Sequence, residues 1–253
     1  MKQKIYQIDA FTTKLFGGNP AAVCILKDWL ETELMQQIAA ENNLAETAFA
    51  VKKYNYYEIR WFTPEIEVDL CGHATLATSF VLYNYYGFKE NTLRFISPRS
   101  GELLVQKNEV ELFTMDFPTD DLIAVSEQTD ISKAIGKQPL ETYNGKTDYL
   151  LIYNSQEEIE AIKPDFHLLN ELDCRGVIVS SNGNEVDFVS RFFAPQCGIP
   201  EDPVTGSAHT TLKKTLTAKQ LSERGGDIQC EYLGERVKIS GNGVCYLIGE
   251  IEI

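Results

Sequence analysis

The sequence has no C-x-x-C pair, no run of basic residues, no apolar stretch near the length of a membrane span, and only three histidines. Each absence narrows what the chain can be. Cys71-x-His73 has no partner pair at ligand spacing, and the other histidines, His167 and His209, lie far along the chain. A metal site is therefore not expected. Nothing offsets the excess of 37 acidic over 23 basic residues, a net charge of -14. Such a surface repels phosphate backbones and anionic lipid, so neither nucleic acid nor membrane is an expected partner. Met1 to Asp9 alternate polar and apolar like a first strand and lack the apolar core of a signal peptide. The expectation is a cytoplasmic protein. Its six cysteines, Cys24, Cys71, Cys174, Cys197, Cys230 and Cys245, are then reduced thiols, mainly small core residues.

What is present is strand. Alternating or β-branched runs cover 5–11, 47–53, 57–62, 92–97, 102–107 and 109–117, and then 147–154, 176–181, 186–193, 227–231, 236–240 and 244–250. Short spacing between them favours antiparallel pairing. Helices are fewer. Asp28-Trp29-Leu30-Glu31 has the form of a capping box, with Leu34, Met35 and Ile38 following on one face. A second helix is predicted from Gly72 to Tyr86, stopped by Gly87, and a third from near Gly206 to about Leu221.

The chain also repeats itself. Arg60-Trp61-Phe62-Thr63-Pro64 matches Arg191-Phe192-Phe193-Ala194-Pro195. A short acidic loop follows each, ending in Gly72-His73-Ala74-Thr75 or Gly206-Ser207-Ala208-His209, with the second loop three residues longer. Two matches in the same order point to a duplicated unit, 1–117 and 118–253. Related half-domains commonly enclose a ligand between them. Each half would present the N-terminus of its main helix, whose unpaired N–H groups suit a carboxylate.

Four segments could carry chemistry. Glu46 stands among Leu44, Ala45, Ala48 and Phe49. A carboxylate desolvated there suits a general base working near neutral pH, although most glutamates at strand ends face water. In Cys71-Gly72-His73-Ala74, Gly72 allows close backbone approach. The helix dipole should disfavour a cationic His73. A Cys at a helix start can be reactive or simply packed. Asp202, Thr205 and Ser207 are three capping residues before one predicted helix, more than a cap requires. Gly18-Asn19-Pro20 is turn-rich backbone that could line a site or merely lead into an apolar element.

Taken together and in order, Gly18-Asn19-Pro20-Ala21-Ala22-Val23, Glu46-Thr47-Ala48-Phe49, Cys71-Gly72-His73-Ala74-Thr75 and Glu201-Asp202-Pro203-Val204-Thr205-Gly206-Ser207-Ala208-His209 resemble the PhzF-like phenazine-biosynthesis family. The resemblance implies an α/β (α+β) diaminopimelate-epimerase-like fold. That fold has two half-domains related by a pseudo-two-fold axis, each a mostly antiparallel curved sheet around a central helix, with the last strand able to return to the first half. It implies a homodimer acting on a small carboxylate-bearing substrate without metal or organic cofactor. It places catalytic roles on Glu46, His73, Asp202 and Ser207, and substrate contacts on Asn19, Cys71, Gly72, Ala74, Gly206 and Ala208. The implied chemistry is a double-bond shift in which Glu46 moves a proton. Two alternatives stay open: a two-thiol epimerase or racemase using Cys71, and a catalytically idle binding protein.

Overall fold

The computed structural model describes residues 2–108, 111–126, 129–206 and 216–253. The chain divides into two compact units, Met1–Phe117 with Lys238–Ile253, and Pro118–Val237.

In the first unit the order is β1 (Lys2–Ala10), β2 (Asn19–Leu26), α1 (Thr32–Asn42), β3 (Glu46–Lys52), β4 (Tyr57–Phe62), β5 (Glu67–Val68), α2 (Gly72–Tyr85), β6 (Thr92–Ser97), β7 (Gly101–Lys107) and β8 (Phe113–Pro118). The second runs β9 (Ile123–Val125), α3 (Thr129–Ile135), β10 (Glu141–Asn144), β11 (Asp148–Ile152), α4 (Gln156–Ala161), α5 (Phe166–Asn170), β12 (Gly176–Asn182), β13 (Phe188–Ala194), β14 (Ile199–Asp202), β15 (Leu216–Gln220) and β16 (Gly226–Tyr232). In β17 (Arg236–Gly241) the chain passes back to the first unit, and β18 (Gly243–Glu252) pairs antiparallel with β1.

The duplication read from two short motifs extends to the pairing of strands. β1–β2 is antiparallel, β2–β3 parallel, β3–β4 and β4–β5 antiparallel, β4–β6 parallel and β6–β7 antiparallel. β10 to β16 repeat that series step for step. Each parallel pair encloses a longer crossover than a hairpin needs. Short spacing predicted antiparallel pairs, and these dominate. β2–β3, β4–β6 and β11–β12 escaped that reading because their connections run over α1, α2, and α4 with α5.

An ion pair repeats too. Arg60 holds Glu67 with both ends of its fork, at 2.7 Å and 2.7 Å, and lies over the Phe62 ring. Arg191 holds Glu201 at 2.7 Å and 2.9 Å and lies over Phe193. Bidentate geometry fixes the angle between each strand and the loop that follows it. Those hydrogen bonds hold the Glu67 carboxyl below the usual carboxylate range.

Two expectations about helices are corrected. α1 begins at Thr32 with no side-chain cap, so Asp28 does not form a capping box. Trp29 is instead engaged by tertiary contacts. Its indole N–H donates to Glu58 at 2.8 Å and its ring lies under Arg60. The third predicted helix is wrong at its C-terminal end, because 216–220 is β15, parallel to β13 and antiparallel to β16. Its buried Ala218 and Gln220 alternate with more exposed neighbours, the period of two that marks a strand. The rest of that predicted helix lies outside the described residues.

In the first unit, Met35, Ile38 and Ala39 of α1 pack with Phe49, Val51 and Phe62. α2 packs on β1, β2 and β3. It is buried on every side at first, from His73 to Ser79, as befits a helix central to its unit. Its polar residues satisfy themselves on the preceding turn: Thr75 to Cys71 O, Thr78 to Ala74 O and Ser79 to Thr75 O. Gly87, at φ 68, follows its end. In the second unit α3, α4 and α5 cover β11, β12 and β13 through Ile131, Ile159 and Leu169. Among the described residues no helix is long and apolar enough to cross a membrane.

Candidate active site

The site in the first unit begins with a strained turn. Between β1 and β2, Phe11 (φ 63) and Phe16 (φ 70) occupy the left-handed region, a cost of roughly 1–3 kcal/mol each. Asp9, buried in β1, accepts the Phe16 N–H at 2.9 Å and ties the turn down. Gly18 closes it at φ +62, where a Cβ would lie 2.1 Å from Ala10 O. Only glycine fits. The turn delivers Asn19, fully buried, to the first position of β2.

Glu46 opens β3. Asn43 ends α1 in the left-handed conformation, φ 48, with its N–H on Ala39 O, and the chain then turns into the strand. The parallel register pairs Glu46 with Ala21, two residues from Asn19, so both reach the same end of the sheet. Cys71 caps α2 in extended conformation, and His73 lies in its first turn.

These four side chains meet. Glu46 Oε2 is 2.9 Å from His73 Nε2, with side chains only 12% and 7% exposed. Asn19 Nδ2 is 3.2 Å from His73 Nδ1. Cys71 Sγ is 3.5 Å from Nδ1 and 3.9 Å from Nε2. Both ring nitrogens are therefore engaged from opposite sides.

Burial alone would push the His73 pKa down, but the adjacent Cys71 sulfur and Glu46 carboxylate outweigh it. The pKa lies well above the ordinary 6.5. Burial, assisted by Glu46, pushes the Cys71 thiol up to about 11. Cys71 is therefore uncharged near neutral pH, while the raised pKa of His73 favours the cationic ring. This corrects the expected neutral His73. The helix dipole disfavours the cation, but the Cys71 and Glu46 side chains in contact with the ring act together against it. A protonated ring donates from both nitrogens, and Asn19 then presents Oδ1 to Nδ1–H, an amide orientation assigned by the network.

Ala74 is fully buried behind this cluster and Gly72 is half-buried. A Cβ on Gly72 would meet Phe117 at 3.6 Å, ordinary contact. Donor atoms of Glu46, Cys71 and His73 all lie within 4.8 Å of one another. The sequence spacing saw only Cys71-x-His73; Glu46 joins because the strand end and helix start converge.

In the second unit, Asp202 ends β14 and its carboxylate accepts from the Thr205 hydroxyl. Gln220, fully buried in β15, clamps the loop between them. Its Oε1 accepts Thr205 N–H at 2.8 Å and its Nε2 donates to Asp202 O at 2.7 Å. Gly206 is buried. Ser207 and Ala208 lie outside the described residues. Gln220 is a loop-holding residue missed at the sequence level, because it fell in the stretch read as helix. Arg175, just before β12, is another. It holds the buried Asp148 by both nitrogens and lies over Phe192.

The register of the repeat fixes equivalent positions. Trp61 faces Val68, and Phe192 faces Asp202. Three residues further on, Cys71 corresponds to Thr205, and Gly72 to Gly206. The counterpart of the Cys71 thiol is thus a hydroxyl, and Cys197 is exposed in the turn after β13.

Residues 8–246 match the family model described as phenazine biosynthesis-like protein. Two Pseudomonas aeruginosa proteins, each named an uncharacterised isomerase, are 45% identical over 100% of both chains. The crystal structure of a PhzF-family protein from Enterococcus faecalis superposes with a TM-score of 0.96, at 46% identity, covering 100% of each chain. A hydroxyproline epimerase from Agrobacterium vitis has a TM-score of 0.61 at 9% identity, over 99% of this chain and 92% of that one, which is a likeness of fold alone.

Proposed function

The chain belongs to the phenazine biosynthesis-like family and is an isomerase of that type, and from that premise we propose that it moves a proton within a small unsaturated carboxylic acid, with Glu46 as the acid/base. Glu46 takes a proton from an activated carbon, the electron pair shifts the double bond, and the Glu46 carboxyl, whose O–H proton exchanges with solvent, delivers a proton to another carbon. Nothing is oxidised or reduced, so the step needs no co-reactant. His73 serves as the hydrogen-bonding partner that orients the Glu46 carboxylate and carries positive charge toward the charge that develops on the substrate. Asp202 and Ser207 complete the proton network, and Asn19, Cys71, Gly72, Ala74, Gly206 and Ala208 line the substrate. A homodimer is part of this reading, and sedimentation tests it.

One observation carries the reading: the 2.9 Å approach of Glu46 to His73, with both side chains almost removed from water. Burying a carboxylate is costly unless it is paired, and here the partner is itself a side chain that holds a proton. The two-thiol alternative loses support because the position equivalent to Cys71 is Thr205.

The test is deuterium incorporation from solvent into candidate unsaturated acids. Wild type should catalyse it. Glu46→Gln keeps shape and hydrogen bonding but cannot accept the proton, and should lose roughly 10²-fold or more in rate. Glu46→Asp, retracted by one methylene, should retain part. A Gln variant exchanging at the wild-type rate would remove Glu46 from this role.

A further inference from the structure

Glu46, Cys71 and His73 together offer one oxygen, one sulfur and one nitrogen from three residues whose donor atoms lie within 4.8 Å. That is the mixed donor set of a borderline divalent ion. We propose that these three side chains bind a divalent metal ion of the Zn²⁺ class, and that the ion switches the site off by occupying the base.

The charges balance. A thiolate and a carboxylate neutralise a divalent ion, so the filled site adds no net charge to a buried place. Cys71, which opens the 14-residue α2, and His73 each give up a proton to solvent as the ion enters, as coordinating thiols and imidazoles must. The outer shell is in place as well. Asn19 engages His73 Nδ1 at 3.2 Å, which leaves Nε2, the nitrogen facing Glu46, as the ligand. Metal-binding imidazoles almost always have their second nitrogen held in this way.

Metal–ligand distances of about 2.0–2.3 Å set ligand atoms roughly 3.3–3.8 Å apart. Glu46 must therefore withdraw by a few tenths of an ångström from its 2.9 Å contact. The thiol, now beside the ring at 3.5 Å from Nδ1 and 3.9 Å from Nε2, must swing about its Cα–Cβ bond toward Nε2. Three protein ligands leave a fourth position for water. Binding stands on this donor geometry alone; only the loss of turnover rests on the proton-transfer reading.

The test titrates the full-length chain with Co²⁺, whose spectrum reports its ligands, in a buffer free of thiols. One ion per chain is expected, with visible bands of a low-coordinate ion and a sulfur-to-metal charge-transfer band. Cys71→Ser should abolish the charge-transfer band, and Asn19→Ala should weaken binding by roughly 10–100-fold. Cys197→Ser, a change at an exposed thiol, should leave the spectrum intact. No visible bands, a charge-transfer band that survives Cys71→Ser, or one lost in Cys197→Ser would each overturn the proposal. Wild type that exchanges deuterium but binds no Co²⁺ sinks the metal site and leaves the isomerase reading standing. Wild type that binds Co²⁺ but exchanges no deuterium does the reverse.

Discussion

Replacing Gln220 by Leu keeps the size of a fully buried side chain and removes the groups that clamp the Asp202–Thr205 loop. Two short contacts are lost, the acceptor for Thr205 N–H at 2.8 Å and the donor to Asp202 O at 2.7 Å, with a longer one to the Thr205 hydroxyl at 3.4 Å. The Thr205 N–H is buried, so losing its acceptor costs about 1–3 kcal/mol, and the half-buried Asp202 carbonyl adds about 0.5–1.5. The expected destabilisation is roughly 2–4 kcal/mol, placing the variant among the damaging single changes. For a chain of this size it corresponds to a fall in Tm of roughly 5–15 °C. Calorimetry and urea titration both read it. Gln220→Glu keeps the acceptor but sets a buried, unpaired carboxylate against the Asp202 carbonyl, so it should be at least as damaging as Leu at neutral pH. The loop also carries the Asp202 carboxylate, held by the Thr205 hydroxyl, so the Leu variant should slow deuterium exchange even well below its Tm. A Leu variant within about 0.5 kcal/mol of wild type would refute the clamp, since a buried N–H cannot lose its acceptor so cheaply.

The chain has only three histidines, so a proton NMR titration with His73→Asn for assignment can isolate His73. It should titrate above 6.5 in wild type, and Glu46→Gln should lower it. Because its folded pKa is raised, the stability His73 contributes is fully present below pH 6.5 and lost as pH rises through the folded value. Cys71, with its thiol pushed to about 11, should resist iodoacetamide in native protein at pH 8 while the exposed Cys197 reacts; peptide mass spectrometry distinguishes them, and rapid labelling of Cys71 would contradict its burial. Gly18→Ala forces a Cβ to 2.1 Å from Ala10 O at φ +62. It should cost at least about 1–3 kcal/mol and displace Asn19, whereas Gly72→Ala, with its nearest neighbour at 3.6 Å, should be mild in stability.

Much of the architecture was local and hence legible in the amino-acid order. The strand runs around 57–62, 92–97 and 176–181 announced themselves through alternation and β-branched residues. α2 was bounded by Gly72 and Gly87, and the duplication was audible in two five-residue echoes. Those echoes carried a physical constraint: Arg60 and Arg191 each need a carboxylate in the following loop, and Glu67 and Glu201 supply it. Where tertiary contacts overrode local preference, the sequence misled. Asp28 resembled a cap, yet Trp29 had partners elsewhere on β4. The 216–220 segment passed for helix until its pairing with β13 and β16 made it a strand. The site shows the same division. Glu46 and His73 were each suspect for their surroundings, but they stand 27 positions apart (73 minus 46). No periodicity encodes that one closes on the other at 2.9 Å. The protonation of His73 depended on that distance as well. Residue order determines the charges of isolated groups and the local dipole, whereas a thiol and a carboxylate pressed against a buried imidazole exist only once β3 and α2 have packed, and together they outweigh its burial.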